Sequence, residues 1–228
     1  MTDAREPGTR LVVIRHGESN ATVGRFVSSA DTCTGLSDLG RRQADALRER
    51  LATTGELPTD GLALYASHFA RAIETAEIIA PALGVDVKVE PGFGEQYPGT
   101  DCDGMTFDAF VEKYGRPDWE TNPYAVSFPG GESVAEFDLR VGTTLSDVLD
   151  RHAGGTVVVS CHGGVVDRVL RQLLRTSKSG IFELFTRNTS LTEFVEAGPG
   201  KWRLVRYNDA AHLAGLPPYT PWHTPDSG

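Results

Sequence analysis

Leu11-Val12-Val13-Ile14-Arg15-His16-Gly17-Glu18-Ser19 joins an apolar run to a cation, an imidazole and a glycine. The four apolar residues, three of them β-branched, are predicted as a strand buried on both faces. Core packing needs none of Arg15, His16 or Gly17. In an open α/β sheet, ligands bind just beyond the carboxyl ends of the strands, which is where these three fall. The pattern returns late in the chain. Thr156-Val157-Val158-Val159-Ser160 is a second apolar run and ends in Cys161-His162-Gly163-Gly164. Two strands are thus expected to deliver a His-Gly pair to one sheet edge.

Working outward, Asn20 to Gly35 shows no period and is predicted as a loop over the strand ends. Ser37 is a plausible N-cap for a helix whose inner face carries Leu39, Ala44, Leu47 and Leu51. Leu62 to Ala66 reads as a strand and Ser67 as a candidate cap. The helix after it carries Ile73, Ala76, Ala80 and Leu83 and stops at Gly84. Val85 to Val89 is a short strand. Glu132 to Arg151 is a long helix with Val134, Phe137, Val141, Leu145 and Val148 inward. The helix after the second His strand sets Val165, Val166, Val169, Leu170, Leu173 and Leu174 on one stripe. Ser190 to Glu196 and Lys201 to Tyr207 flank Ala197-Gly198-Pro199-Gly200, a hairpin signal. This alternation predicts a three-layer α/β/α sandwich with a mostly parallel central sheet and an antiparallel edge.

At 228 residues the chain suits one domain, 1–228. Within it, Pro91 to Gly131 is rich in glycine and proline and reads as a cap or lid insertion. Phe93, Tyr97, Phe107, Phe110, Tyr114, Trp119, Tyr124 and Phe128 are its candidate aromatic walls for a leaving-group pocket. Residues 214–228 read as a loose tail. The formal charge of −9 argues against nucleic acid and anionic membrane as partners. A local cationic pocket can still hold an anionic substrate. Met1 to Arg10 is polar and lacks a signal-peptide core. The three cysteines, 33, 102 and 161, are odd in number and widely spaced, as in a reduced compartment. The expected location is the cytoplasm.

A neutral imidazole is a good nucleophile towards phosphorus, and a covalent intermediate splits one hard displacement into two easier ones. Phosphate-monoester hydrolysis is among the slowest uncatalysed reactions, so positive groups must surround the phosphoryl oxygens. His16 is the candidate nucleophile, with Arg15 beside it. His162 is the candidate donor to the phosphoryl group. Gly163 and Gly164 open a helix whose N–H groups can point at an anion. Arg71 lies in the first turn of its helix, where a cation opposes the dipole at roughly 0.3–1 kcal/mol. A bound phosphate would offset that cost; a solvent-exposed arginine is the alternative. Glu95, in Phe93-Gly94-Glu95-Gln96-Tyr97-Pro98-Gly99, is the natural general acid if it reaches the site. A zinc site on His16 and His162 lacks a third ligand at suitable spacing. No metal and no cofactor is expected.

Together these pieces resemble the histidine phosphatase superfamily, also called the phosphoglycerate mutase-like family, over about Leu11 to Leu213. The matching segments, in order, begin with Arg15-His16-Gly17-Glu18-Ser19, Leu36-Ser37-Asp38-Leu39-Gly40 and Ser67-His68-Phe69-Ala70-Arg71-Ala72. They continue with Glu95 and Asp103-Gly104-Met105-Thr106, Pro129-Gly130-Gly131-Glu132-Ser133, Ser160-Cys161-His162-Gly163-Gly164 and Tyr207-Asn208-Asp209-Ala210-Ala211-His212-Leu213. The resemblance implies that His16 is the phospho-accepting nucleophile, that Arg15, Arg71 and His162 hold the phosphate, and that Glu95 is the proton donor. It also offers Asn20 and Arg25 as phosphate ligands. The family's loop asparagine position, however, falls here on Thr22, and Arg25 stands one residue closer to His16 than the usual loop arginine. The implied activity is a metal-independent phosphatase acting on a small phosphorylated metabolite, as monomer or homodimer. The alternatives are a phosphoglycerate mutase and a non-catalytic phosphate-binding protein. The mutases resembling this family carry a longer insert and a Trp-containing loop after the nucleophile; Phe26-Val27-Ser28-Ser29-Ala30 has no Trp.

Overall fold

A computed structural model of the chain describes residues 8–119, 121–178, 180 and 182–217. The polar start up to residue 7, and the part of the expected 214–228 tail from residue 218 onward, lie outside the described residues. Six strands form one sheet: β1 (Arg10–Arg15), β2 (Leu62–Ala66), β3 (Val87–Val89), β4 (Thr156–Cys161), β5 (Leu191–Gly198) and β6 (Lys201–Asp209). Their order is β3-β2-β4-β1-β5-β6. β3, β2, β4 and β1 run parallel, while β5 is antiparallel to both β1 and β6. The fold is therefore the expected α/β sandwich with an antiparallel edge.

The central strands are apolar on both faces because helices cover both. Leu11 and Val13 of β1, Ala63 and Tyr65 of β2, and Val157 and Val159 of β4 form one core with two helices. These are α5 (Val134–Arg151), through Phe137, Val141, Leu145 and Val148, and α6 (Gly163–Leu173), through Val165, Val166 and Val169. Val12 and Ile14, Leu64 and Val158 face the other core, against α2 (Asp38–Thr54) and α3 (Ala70–Leu83). The alternation along each strand is the period of two that a pleated strand imposes. Each of the four β1 side chains is essentially inaccessible to water, a burial of roughly 1.5–3 kcal/mol apiece. Leu174, expected on the inner stripe of α6, follows the helix as its C-cap and is exposed.

The segment after β1 is not wholly loop. Ser19 accepts a hydrogen bond from the Thr22 backbone and caps a short helix, α1 (Asn20–Gly24), which Arg25 ends in a left-handed conformation. One capped turn has too few residues to show a period. Ser67 is not the cap of α3; that position is Phe69, which makes no side-chain cap bond. Within the insertion, a 3-10 turn (Pro91–Phe93) precedes α4 (Phe107–Tyr114). Val27, Cys102, Phe107, Phe110 and Phe128 form a small separate core under α4. Backbone bonds from Val27 to Met105 and from Phe107 to Arg25 stitch the 25–27 loop to the insertion. No helix among the described residues is long and apolar enough to cross a membrane.

Candidate active site

Strand register brings the two histidines together. Arg15 pairs with Cys161 at the ends of β1 and β4, and Ala66 of β2 pairs with Ser160. His16 and His162 are the next residues along, with the His16 N–H donating to the Cys161 carbonyl at 2.8 Å. Their rings stand edge to face, 5.2 Å between centroids. Gly17 is required immediately after: a side-chain carbon there would meet the Gly40 carbonyl oxygen of α2 at 2.5 Å.

The hydrogen bonds set the state of each ring. His16 Nδ1 lies 2.6 Å from the Gly17 carbonyl oxygen, which can only accept, so Nδ1 carries the proton. Nε2 presents its lone pair to Arg71 Nε at 3.1 Å. Burial first, then the guanidiniums of Arg71 and Arg15, holds the His16 imidazole well below its usual range and therefore neutral. His162 is shifted in the same direction, again by burial and then by Arg71 and His16. Its Nδ1 accepts from Arg71 Nε at 3.3 Å, and its Nε2 lies 2.8 Å from Ser67 Oγ. One guanidinium N–H thus faces two neutral imidazole lone pairs.

Arg71 itself is buried, at 6% exposure. It occupies the second position of α3, touches Cys33 Sγ at 3.4 Å and lies 4.5 Å over the Phe69 ring. Burial lowers its affinity for the proton, partly offset by Cys33 and Glu95. Arg15 donates from Nη1 to the Thr186 carbonyl. Glu95 is half-buried. One of its oxygens accepts from Gly164 N at 3.1 Å and the other from Gln96 N at 3.0 Å. That places the Glu95 carboxyl group at the N-terminus of α6, in the same cleft as His16. Gly164 admits it, because a Cβ there would meet Glu95 Oε1 at 2.2 Å. Cys161 is buried and its thiol is pushed well up by that burial, an inert neighbour of His162.

Arg15, His16, Arg71, Glu95, Gly163 and Gly164 line one cleft of about 540 Å³. His162, fully buried and reaching Arg71 through Nδ1, is not itself among the lining residues, and two other expected ligands lie away from the site. Asn20 begins α1, is exposed, and donates to the Thr34 carbonyl at 3.2 Å. Arg25 is spent as the left-handed cap of α1 and pairs with exposed Asp108 at 3.0 Å. Of the insertion's eight aromatics only Trp119 and Phe128 line the cleft. Phe107 and Phe110 build the small core under α4, and Phe93 is buried against α5. Further walls come from Phe26 and Val27, from α5, from Asp167, Arg168 and Arg171 of α6, and from Gly180 and residues 182–186.

The sequence pattern also missed the support of His16. Asn188 Nδ2 donates to the His16 carbonyl at 2.9 Å, and Thr189 N donates to the Arg15 carbonyl at 2.8 Å. Thr189 is fully buried with φ +52°, a conformation that costs a β-branched residue roughly 1–3 kcal/mol. Its hydroxyl bonds the Asn188 carbonyl and His212 Nε2. Asn188-Thr189-Ser190 reads in sequence only as a glycosylation sequon; its asparagine is here a buried clamp on the strand end. No local pattern announces a partner more than 170 residues away.

Comparison with known proteins agrees with this architecture. The sequence model of the histidine phosphatase superfamily (branch 1) matches residues 11–210. Phosphoglycerate mutase-like protein 4 of Arabidopsis thaliana is 31% identical over 89% of the chain and 86% of that protein. Phosphoserine phosphatase 1 of Hydrogenobacter thermophilus is 35% identical over 67% of the chain and 70% of that protein. Among solved structures, Bacillus stearothermophilus YhfR superposes with a TM-score of 0.75 at 25% identity, covering 90% of this chain and 99% of that one. With His16 and His162 meeting over Arg71 at the ends of two parallel strands, the chain belongs to branch 1 of the histidine phosphatase superfamily.

Proposed function

We propose that the protein is a metal-independent phosphatase that hydrolyses a phosphomonoester through a phosphohistidine on His16. The single observation that carries this is the His16 ring: buried, neutral, protonated on Nδ1 by its bond to Gly17, and presenting an unprotonated Nε2 into the cleft beside Arg71. Nε2 attacks phosphorus, forming the P–N bond as the P–O bond to the leaving group breaks. Glu95 gives its proton to the leaving oxygen. It then takes a proton from water, which attacks phosphorus and breaks the P–N bond, releasing inorganic phosphate. Arg15, Arg71 and the α6 N-terminus at Gly163 neutralise the phosphoryl oxygens. His162, with Nδ1 accepting from Arg71 Nε, holds that guanidinium beside the phosphoryl group.

Relatives with phosphatase names support hydrolysis, among them a metal-independent phosphoserine phosphatase of Arabidopsis thaliana, 27% identical over 91% of the chain. The test is a screen of phosphomonoesters for phosphate release, with His16→Ala as control. Release without a bisphosphoglycerate primer, and lost in the variant, is expected. Turnover that requires the primer would make the protein a mutase, and binding without turnover would make it a phosphate-binding protein.

A further inference from the structure

The cleft extends well beyond the phosphate end, and its outer part is built from two materials. The first is aromatic: Phe26, Trp119, Phe128, Phe137, Phe182 and Phe185 line it. Three of these keep large apolar area in water, Phe26 at 42%, Phe182 at 39% and Phe185 at 52% exposure. They come from two segments more than 150 residues apart in the chain that both line this cleft. Convergent exposed aromatics around a concave site mark a surface kept for a ligand.

The second material is a set of polar groups already spent on each other. Arg171 donates from Nε to both Asp167 oxygens at 3.0 Å, from Nη1 to the Ser177 carbonyl at 2.6 Å and from Nη2 to the Phe182 carbonyl at 2.9 Å. Its guanidinium lies 4.1 Å over the Phe182 ring. Arg168 donates to Asp167 and to the Lys178 carbonyl. These two buried arginines are fastenings that hold Ser177, Lys178 and Phe182 against α6. Gln96 is committed too, accepting from Trp119 Nε1 at 3.1 Å and donating to the Glu132 carbonyl at 2.9 Å. Among the described lining residues, the other cations are Arg15 and Arg71, which sit at the phosphate end. Asp167 is balanced by Arg168 and Arg171, and with Glu183 the four charged side chains of the outer wall carry no net charge. A leaving group carrying a carboxylate would find these outer arginines already engaged by Asp167 and by backbone carbonyls, and would be desolvated without a partner.

We infer that the substrate is the phosphomonoester of a bulky apolar alcohol, one that bears an aromatic or similarly large hydrocarbon group and no carboxylate. Phosphoserine and phosphoglycerate are then poor substrates. This rests on the phosphatase reading above and names the substrate class for that same site.

The test compares phenethyl phosphate, ethyl phosphate, O-phosphoserine and phosphoglycerate, all of which leave as alkyl alcohols, so leaving-group acidity does not decide the ranking. The expected result is a kcat/KM for phenethyl phosphate at least about tenfold above each of the others. Phe185→Ala, at a half-exposed position, is expected to cut the phenethyl-to-ethyl ratio by about tenfold, chiefly through KM for phenethyl phosphate. A preference for phosphoserine or phosphoglycerate would overturn the inference and leave the phosphatase reading intact, as would an unchanged ratio in Phe185→Ala. Failure of all four together with p-nitrophenyl phosphate would instead remove the phosphatase reading.

Discussion

Gly164→Ala probes the proposed proton donor, Glu95, without substituting it. Gly164 is the second residue of α6, so alanine there suits the helix and gains up to about 1 kcal/mol of propensity. The new Cβ would lie 2.2 Å from Glu95 Oε1 and 3.1 Å from Phe137 Cε1. Non-bonded atoms tolerate no less than about 3.0 Å, so the carboxylate must retreat by about 0.8 Å. It is the end of a flexible side chain, and the fold absorbs that move cheaply. The chemistry does not, because a displacement of about 1 Å can cost on the order of a hundredfold in rate. The expected outcome is an unchanged or slightly raised Tm, with kcat for ethyl phosphate falling about a hundredfold and kcat for p-nitrophenyl phosphate falling far less. An activated aryl leaving group departs without a proton, whereas an alkoxide needs one. Glu95→Gln should give the same pattern. Steady-state phosphate release on the two substrates, beside a thermal melt, decides it. Equal slowing of both substrates, or no slowing of either, would refute the placement of Glu95 as acid.

Three further perturbations follow from the same geometry. Arg71 is a buried cation whose contacts among the described residues are two neutral imidazoles, a thiol and an aromatic face, so Arg71→Met should abolish turnover while leaving Tm equal or higher. A Tm drop of several degrees would contradict that account. Asn188→Ala removes the clamp on the His16 carbonyl and should cost about 1–3 kcal/mol in urea unfolding, with kcat reduced as well. Burial, then the Arg50 charge, pulls His212 from 6.5 to about 4, so the unfolded chain takes up that proton first and stability falls as pH drops from about 6.5 to about 4. His16 and His162 add in the same direction. A Tm-against-pH series should show the loss, and His212→Gln should flatten it.

The sheet was legible because its strands are buried on both faces: Leu11 to Ile14 and Thr156 to Ser160 leave little choice but a core strand. The histidines were legible because they break those runs at the same point, and register makes equal positions neighbours. Less of the surroundings could be read. Asn20 and Arg25 stand near His16 in sequence, yet the cap of α1 turns both away, and one short turn has no period to announce it. Asn188 and Thr189 act through single hydrogen bonds to a strand end far away in the chain, a relation set by the β1–β5 pairing rather than by any local pattern. The aromatics of the insertion look alike in sequence. Only packing separates Phe107 and Phe110, which form a core, from Trp119 and Phe128, which reach the cleft.

Rapid quenching of the protein during turnover with an activated substrate, followed by peptide mapping under alkaline conditions that preserve a phosphoramidate bond, tests the central claim most directly. The account predicts one phosphoryl group, acid-labile and alkali-stable, on the peptide carrying His16, and none in His16→Ala. A phosphoryl group found on another residue, or full turnover in His16→Ala, would contradict it.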